Sequence, residues 1–162
     1  MTVNTVKNIV IVGGGAYGIT TARAIAPKLD ASKYKIIVIT PRPSFVHYTG
    51  SIRPLVSAEG LLEEKILMPY ENTLMGKGEI LQGKVASFTE WKEGRGGKVE
   101  LVGGEIVPYE VLLLTPGSLW SGPLNFSDDE GDLLKHFGEW RTKFEQAQSV
   151  AIVGGGAVGI GV

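Results

Sequence analysis

Four apolar runs stand out along the chain, at residues 9–12, 36–39, 111–114 and 150–153. They are continuous rather than alternating and rich in Val, Ile and Leu, the pattern of parallel strands covered on both faces. Between the first two, Ile19, Ala22, Ala26 and Leu29 recur at helical spacing, with Pro27 loosening the last turn. Residues 7–40 therefore predict strand, helix, strand. Residues 40–54, with Pro41, Pro43 and Pro54, predict a loop, and a short helix is expected around 59–67. From 79 to 107 the runs ILQGKVASFTEW, KVELVGG and EIVPYE, broken by EGRGG and by Gly103-Gly104, predict an antiparallel meander. Leu133, Phe137, Trp140 and Phe144 mark an amphipathic helix over 129–148 that leads into the last apolar run, a strand over 149–153. The expected fold class is α/β, a parallel sheet plus a small antiparallel meander.

Composition narrows the chemistry. The 162 residues carry 16 Lys+Arg against 17 Asp+Glu, a formal net charge of −1, which argues against a nucleic-acid partner. Cysteine is absent, excluding disulfides, thiolate nucleophiles, zinc–thiolate sites and iron–sulfur clusters. Redox chemistry would need a borrowed cofactor, and no metal site is expected. No apolar run approaches the ~18 residues of a membrane span, and the start MTVNTVKN has neither a signal h-region nor an Arg-rich transit helix. Glycine is the anomaly at 23 residues, roughly twice its usual share, concentrated in short clusters.

The first cluster, Gly13-Gly14-Gly15-Ala16-Tyr17-Gly18, is a G-x-G-x-x-G between a predicted strand and a predicted helix. In that context Gly13 permits the tight turn, Gly15 lets backbone approach a pyrophosphate, and Gly18 allows close helix–strand packing. The helix start at Ala16 and Tyr17 would face the anion with its N–H groups. The plain alternative is a glycine-rich turn holding no ligand. The motif also expects an acidic residue about 20 positions on. This chain has Thr40 at the end of the second strand, with Arg42 close by. Either Thr40 and backbone meet the ribose, or Arg42 meets a phosphate; a solvated loop arginine is the other reading of Arg42.

The second cluster, Gly154-Gly155-Gly156-Ala157-Val158-Gly159, repeats the first almost letter for letter, with Gly154, Gly156 and Gly159 in the fingerprint positions. Two such fingerprints about 140 residues apart resemble the flavoprotein disulfide-reductase superfamily, which binds FAD first and NAD(P)H second. Within it the chain resembles the apoptosis-inducing-factor-like oxidoreductases, relatives of type II NADH dehydrogenases and ferroptosis-suppressor-type quinone reductases. KNIVIVGGGAYGITTARAI is similar to their FAD-binding βα unit. SFVHYTGSIRPLVS resembles the loop beside the flavin, which would hold Arg53 and Pro54. Lys84-Val85 resembles the strand whose backbone meets the adenine, and LLLTPGS, residues 112–118, resembles a strand ending in A-T-G-S, with Thr115 and Pro116 replacing Ala and Thr.

The resemblance implies a Rossmann-like FAD-binding domain over 1–118, a connecting loop and amphipathic helix over 119–148, and over 149–162 the first strand and glycine turn of a truncated NAD(P)-binding domain. Gly13, Gly15, Ala16, Tyr17, Gly18, Thr40, Arg42, Arg53, Val85, Thr115 and Gly117 are its implied cofactor-binding residues. Arg53 is otherwise a solvated loop cation; His47 and Tyr48 line the flavin pocket or simply belong to the loop; His136 and Trp140 belong to helix surface and core. Without a redox disulfide, hydride would pass from NAD(P)H to flavin to a quinone-like acceptor, and no catalytic acid or base is required. Complete members continue through an NAD domain and a segment that returns to the FAD site, so catalytic competence of this chain is left open. The alternative is a non-catalytic short form that binds a nucleotide or a protein in a cell-death-related role. The segment 149–162 is expected to pack back on the first domain or to pair between chains in a homodimer. A cytoplasmic or mitochondrion-associated location is expected.

Overall fold

In chain order the first half folds as β1 (Lys7–Val12), α1 (Ala16–Ile25), β2 (Tyr34–Thr40), β3 (Ser44–Val46), α2 (Leu62–Lys65) and β4 (Leu67–Pro69). The second half follows as β5 (Gly78–Gln82), β6 (Val85–Glu90), β7 (Gly97–Leu101), β8 (Ile106–Tyr109), β9 (Val111–Leu114), α3 (Glu130–Gln146) and α4 (Ala157–Ile160). The computed structural model describes residues 6–71, 73–91 and 95–160. The chain divides into two units, Met1–Pro43 with Tyr70–Gly117, and Ser44–Pro69 with Ser118–Val162.

The first unit is built on a four-stranded parallel sheet in the order β5-β2-β1-β9. This is the Rossmann-like order, in which the chain leaves β1 toward one side and returns to its other side, opening a crevice at the carboxyl ends of the strands. The period of two sorts the side chains. Val10, Ile37 and Ile39 pack against Val99, Leu101, Val107 and Tyr109 of the antiparallel sheet β6-β7-β8. Ile9, Ile11, Ile36 and Val38 are buried on the opposite face, and α1, with Ile19 and Ala22 buried, packs along β1 and β2. Below the helix end, Lys77 Nζ donates to the carbonyls of Leu29 (2.9 Å) and Pro27 (3.4 Å), a cation where the helix leaves carbonyls unpaired.

In the second unit β3 and β4 pair antiparallel. Val46, Leu55, Ile66, Phe126, Leu133 and Phe137 form its core, with Trp140 and Tyr48 against them. Asp129 caps α3 by accepting from the Asp132 N–H at 3.0 Å.

Three expectations are corrected. Residues 79–82 belong to β5 of the parallel sheet, not to the meander, because Ile80 and Leu81 pair with Val38 and Ile39 of β2. The proline-rich loop contains β3, which finds its partner in β4 beyond α2. Residues 149–153 form no strand among the described residues, and Val150, Ile152 and Val153 are exposed, Val153 at 99%. An apolar run becomes a strand only where a neighbour takes its backbone hydrogen bonds. The turn residues 92–94 lie outside the described residues.

Candidate functional site

Between Val12 and Ala16 the chain must reverse from strand to helix within three residues, all glycine. Gly13 sits at φ +110°, where L side chains rarely go, and a Cβ there would overlap the backbone carbonyl of Thr115. A Cβ on Gly14 would meet Tyr70 Oη at 2.5 Å and Thr40 Oγ1 at 2.8 Å, and one on Gly18 would overlap the Gly13 carbonyl. Gly15 differs from all three. Its backbone is ordinary extended chain, φ −78°, and a Cβ there would meet nothing within 4 Å.

The carbonyls of the turn are all engaged from within the unit. Val12 O accepts from the Thr115 N–H at 2.8 Å. Thr115 Oγ1 lies 2.9 Å from Val12 O and 3.2 Å from Gly13 O, so its one proton is shared between them. Tyr70 Oη donates to Gly14 O at 2.9 Å, and Gly15 O accepts the Ile19 N–H at 3.0 Å. On the donor side, Gly13 N–H is bonded to Ile39 O at 2.8 Å. Among the described residues no hydrogen bond engages the N–H groups of Gly14, Gly15 or Ala16. These are orphan donors of a helix start, where the partial positive charge of the macrodipole adds to them.

Thr40 closes β2 and is only 3% exposed. Its hydroxyl lies beneath the glycine turn, where it and the Tyr70 hydroxyl both stand close to the place a Gly14 Cβ would take, instead of standing out toward solvent. Burial pushes the Tyr70 phenol above its ordinary range, against the Thr40 hydrogen bond and the nearby charge of Arg42. Tyr70 thus remains a neutral donor at physiological pH. Nothing in the sequence singled it out: it follows the short β4 and belongs to no motif.

The structure brings Gly13, Gly15, Ala16, Gly18, Thr40 and Thr115 together at the carboxyl ends of β1, β2 and β9. Tyr17 projects from the first turn of α1 at 83% exposure. Arg42 is half-buried two residues beyond β2. Val85 opens β6 and packs its side chain on the core of the unit, leaving its backbone at the edge. Gly117 follows β9 at φ +76° with open space around it. Arg53 belongs to the second unit, where its guanidinium lies 3.5 Å from Glu59. The second cluster repeats the local geometry of the first: Gly154 at φ +103°, Gly156 in open space, and a Cβ on Gly159 overlapping the Gly154 carbonyl. His47 Nδ1 accepts the Gly50 N–H at 3.0 Å, and His136 Nε2 lies 2.9 Å from the Pro123 carbonyl. Among the described residues no helix is long and apolar enough to cross a membrane.

The sequence profile of the family described as pyridine nucleotide-disulphide oxidoreductase matches residues 7–162. The chain belongs to this family. Among its relatives, the FAD-dependent oxidoreductase FVFD30 of Flammulina velutipes is 43% identical over 107 residues, 65% of this chain and 33% of that protein. Apoptosis-inducing factor homolog B of Dictyostelium discoideum is 30% identical over 155 residues, 94% of this chain and 36% of that protein. In structure, the sulfide:quinone oxidoreductase of Aquifex aeolicus superposes with a TM-score of 0.63 at 20% identity, covering 86% of this chain and 33% of that one. The fold is thus that of this pyridine nucleotide-disulphide oxidoreductase family, and the chain spans about a third of the length of these relatives.

Proposed function

We propose that the glycine turn after β1 is the diphosphate seat of an FAD site, in a flavoprotein whose whole form passes hydride from NAD(P)H to flavin and on to a quinone-like acceptor. Gly15 carries this reading. Close contacts in the fold explain the glycines at 13, 14 and 18, whereas at 15, the N-cap of α1, the backbone is ordinary extended chain and a Cβ would stand in open space. A glycine there is accounted for by something outside the chain that must approach the backbone closely, as a diphosphate does. FAD, when bound, supplies the two-electron redox chemistry. The chain's own groups do the binding: Gly14, Gly15 and Ala16 donate N–H groups to the diphosphate, and the start of α1 contributes its dipole. The backbone at Val85 flanks the adenine, and Arg42 the ribose end. Tyr17 and Gly117 complete the set in this unit, and Gly154, Gly156 and Gly159 mark the NAD(P)H site of the whole protein.

Titration of the purified protein with FAD, followed by visible absorbance and flavin fluorescence, tests the reading. Wild-type protein turns yellow and binds, whereas Gly15→Val loses about tenfold or more in affinity, 1.4 kcal/mol, with its melting temperature unchanged. A protein that carries no flavin once excess FAD is removed by gel filtration, or a Gly15→Val variant that binds like wild type, overturns it.

A second reading, a non-catalytic binding module that pairs with a second copy, draws support from the exposed Val150, Ile152 and Val153. NADH-dependent dye reduction with added FAD rejects the non-catalytic part. Sedimentation of wild type against Ile152→Lys decides the pairing: a monomer in both removes it.

A further inference from the structure

We propose that Tyr70 and Thr115 are positioning residues for the diphosphate, each holding one carbonyl of the glycine turn inward so that the N–H of the same peptide faces outward. The inference rests on the FAD reading of the site. In a trans peptide the C=O of one residue and the N–H of the next point in opposite directions. Thr115 Oγ1 at 3.2 Å from Gly13 O therefore sets the direction of the Gly14 N–H. Tyr70 Oη at 2.9 Å from Gly14 O likewise sets that of the Gly15 N–H. These are two of the three donors left without partners at the helix start.

The clamp matters because the turn is glycine at 13, 14 and 15. Glycine populates both signs of φ about equally, so the peptide planes between these residues are weakly held by the chain itself. Rotation of either plane would turn a carbonyl oxygen toward the anion in place of a hydrogen. Tyr70 is buried. A phenol has a single proton, and Tyr70 donates it to Gly14 O at 2.9 Å. Tyr70 thereby acts through the Gly14 peptide, and Thr115 through the Gly13 peptide.

The test compares wild type, Tyr70→Phe, Thr115→Val and Thr115→Ser, using FAD, ADP and riboflavin as ligands and the 15N–1H signals of Gly14 and Gly15 as reporters. Thr115→Ser keeps the hydroxyl and retains wild-type behaviour. Tyr70→Phe and Thr115→Val each weaken FAD and ADP about tenfold and leave riboflavin, which has no phosphate, unchanged. In the ligand-free protein the same two variants shift and broaden the Gly14 and Gly15 amide signals while distant amides and the far-UV spectrum stay in place. Unmoved glycine amides together with unchanged ADP affinity overturn the proposal, as does an equal loss for riboflavin and ADP. Wild-type protein that binds neither FAD nor ADP overturns the FAD reading and with it the diphosphate role. The ligand-free spectra still report whether the two hydroxyls hold the turn, so the two failures are told apart.

Discussion

Gly18 packs its α-carbon directly on the carbonyl oxygen of Gly13, with no room between them for a methyl group. Gly18→Ala must push α1 away from the turn or rotate the Gly13 peptide. Overpacking of this kind costs about 1–3 kcal/mol, and urea unfolding should show a loss in that range. Gly15→Ala, with open space at its Cβ, is expected within about 0.5 kcal/mol of wild type. The pair separates glycine required by packing from glycine required by approach.

Arg141 and Glu63 form the most enclosed ion pair described in the second unit. Arg141 Nη1 lies 2.9 Å from Glu63 Oε1 and 3.2 Å from Pro54 O, tying α3 to α2 and to the turn at 53–55. The other carboxylate oxygen, Glu63 Oε2, is buried without a hydrogen-bond partner. Arg141→Ala leaves that carboxylate uncompensated and should destabilise the unit by about 2 kcal/mol or more. Arg141→Ala/Glu63→Leu should recover part of the loss, because no charge then remains to be desolvated. Chemical denaturation of the single and double variants measures the difference.

At alkaline pH the buried phenols should titrate late. Burial raises both Tyr70 and Tyr109, the latter also through the charge of Glu90. A folded-state value above the unfolded one, near 10, means that the neutral form favours folding. Its contribution is complete below about pH 10 and is lost as pH rises through the higher folded value. Absorbance at 295 nm should therefore show a delayed step among the five tyrosines, reduced in Tyr70→Phe. A titration with no delayed step argues against the buried setting of both.

Asp30 gives the opposite sign in acid. The Ser32 hydroxyl at 2.6 Å, Lys33 at 3.0 Å and the Ser32 N–H at 3.0 Å hold its carboxyl at about 2. Its contribution to the turn before β2 is present above the unfolded value, about 4, and fades as pH falls through about 2. Ser32→Ala should move the carboxyl back toward the ordinary range, read from its side-chain 13C shift across an acid titration.

The sequence made the β1–α1–β2 unit legible because its signals are local: an apolar run, three glycines and a helical period, all within 34 positions of each other. The α3 helix was legible for the same reason, its stripe of Leu133 and Phe137 buried as spaced. What escaped depends on distant partners. Ile80 and Leu81 look like the start of a meander until β2 is known to lie beside them. The run at 150–153 has the composition of a strand but no neighbour among the described residues. Tyr70 carries no motif, since its meaning lies in one hydrogen bond to a residue 56 positions away. The resemblance places Thr115 at the cofactor; that its hydroxyl faces the Val12 and Gly13 carbonyls, 103 and 102 positions earlier, is not visible in the sequence.

The sequence distances within the carbonyl clamp also set a timetable. As the chain leaves the ribosome, the glycine turn emerges early with both peptide planes unconstrained. Tyr70 arrives first and can orient the Gly15 amide, but Thr115 lies 102 positions beyond Gly13 and can dock only after β9 has joined β1. Such long loops close slowly relative to local structure. A nascent chain arrested before β9 would carry the complete glycine signature with the Gly15 amide oriented and the Gly14 amide not, and on the proposed FAD reading would bind a diphosphate more weakly than the released protein.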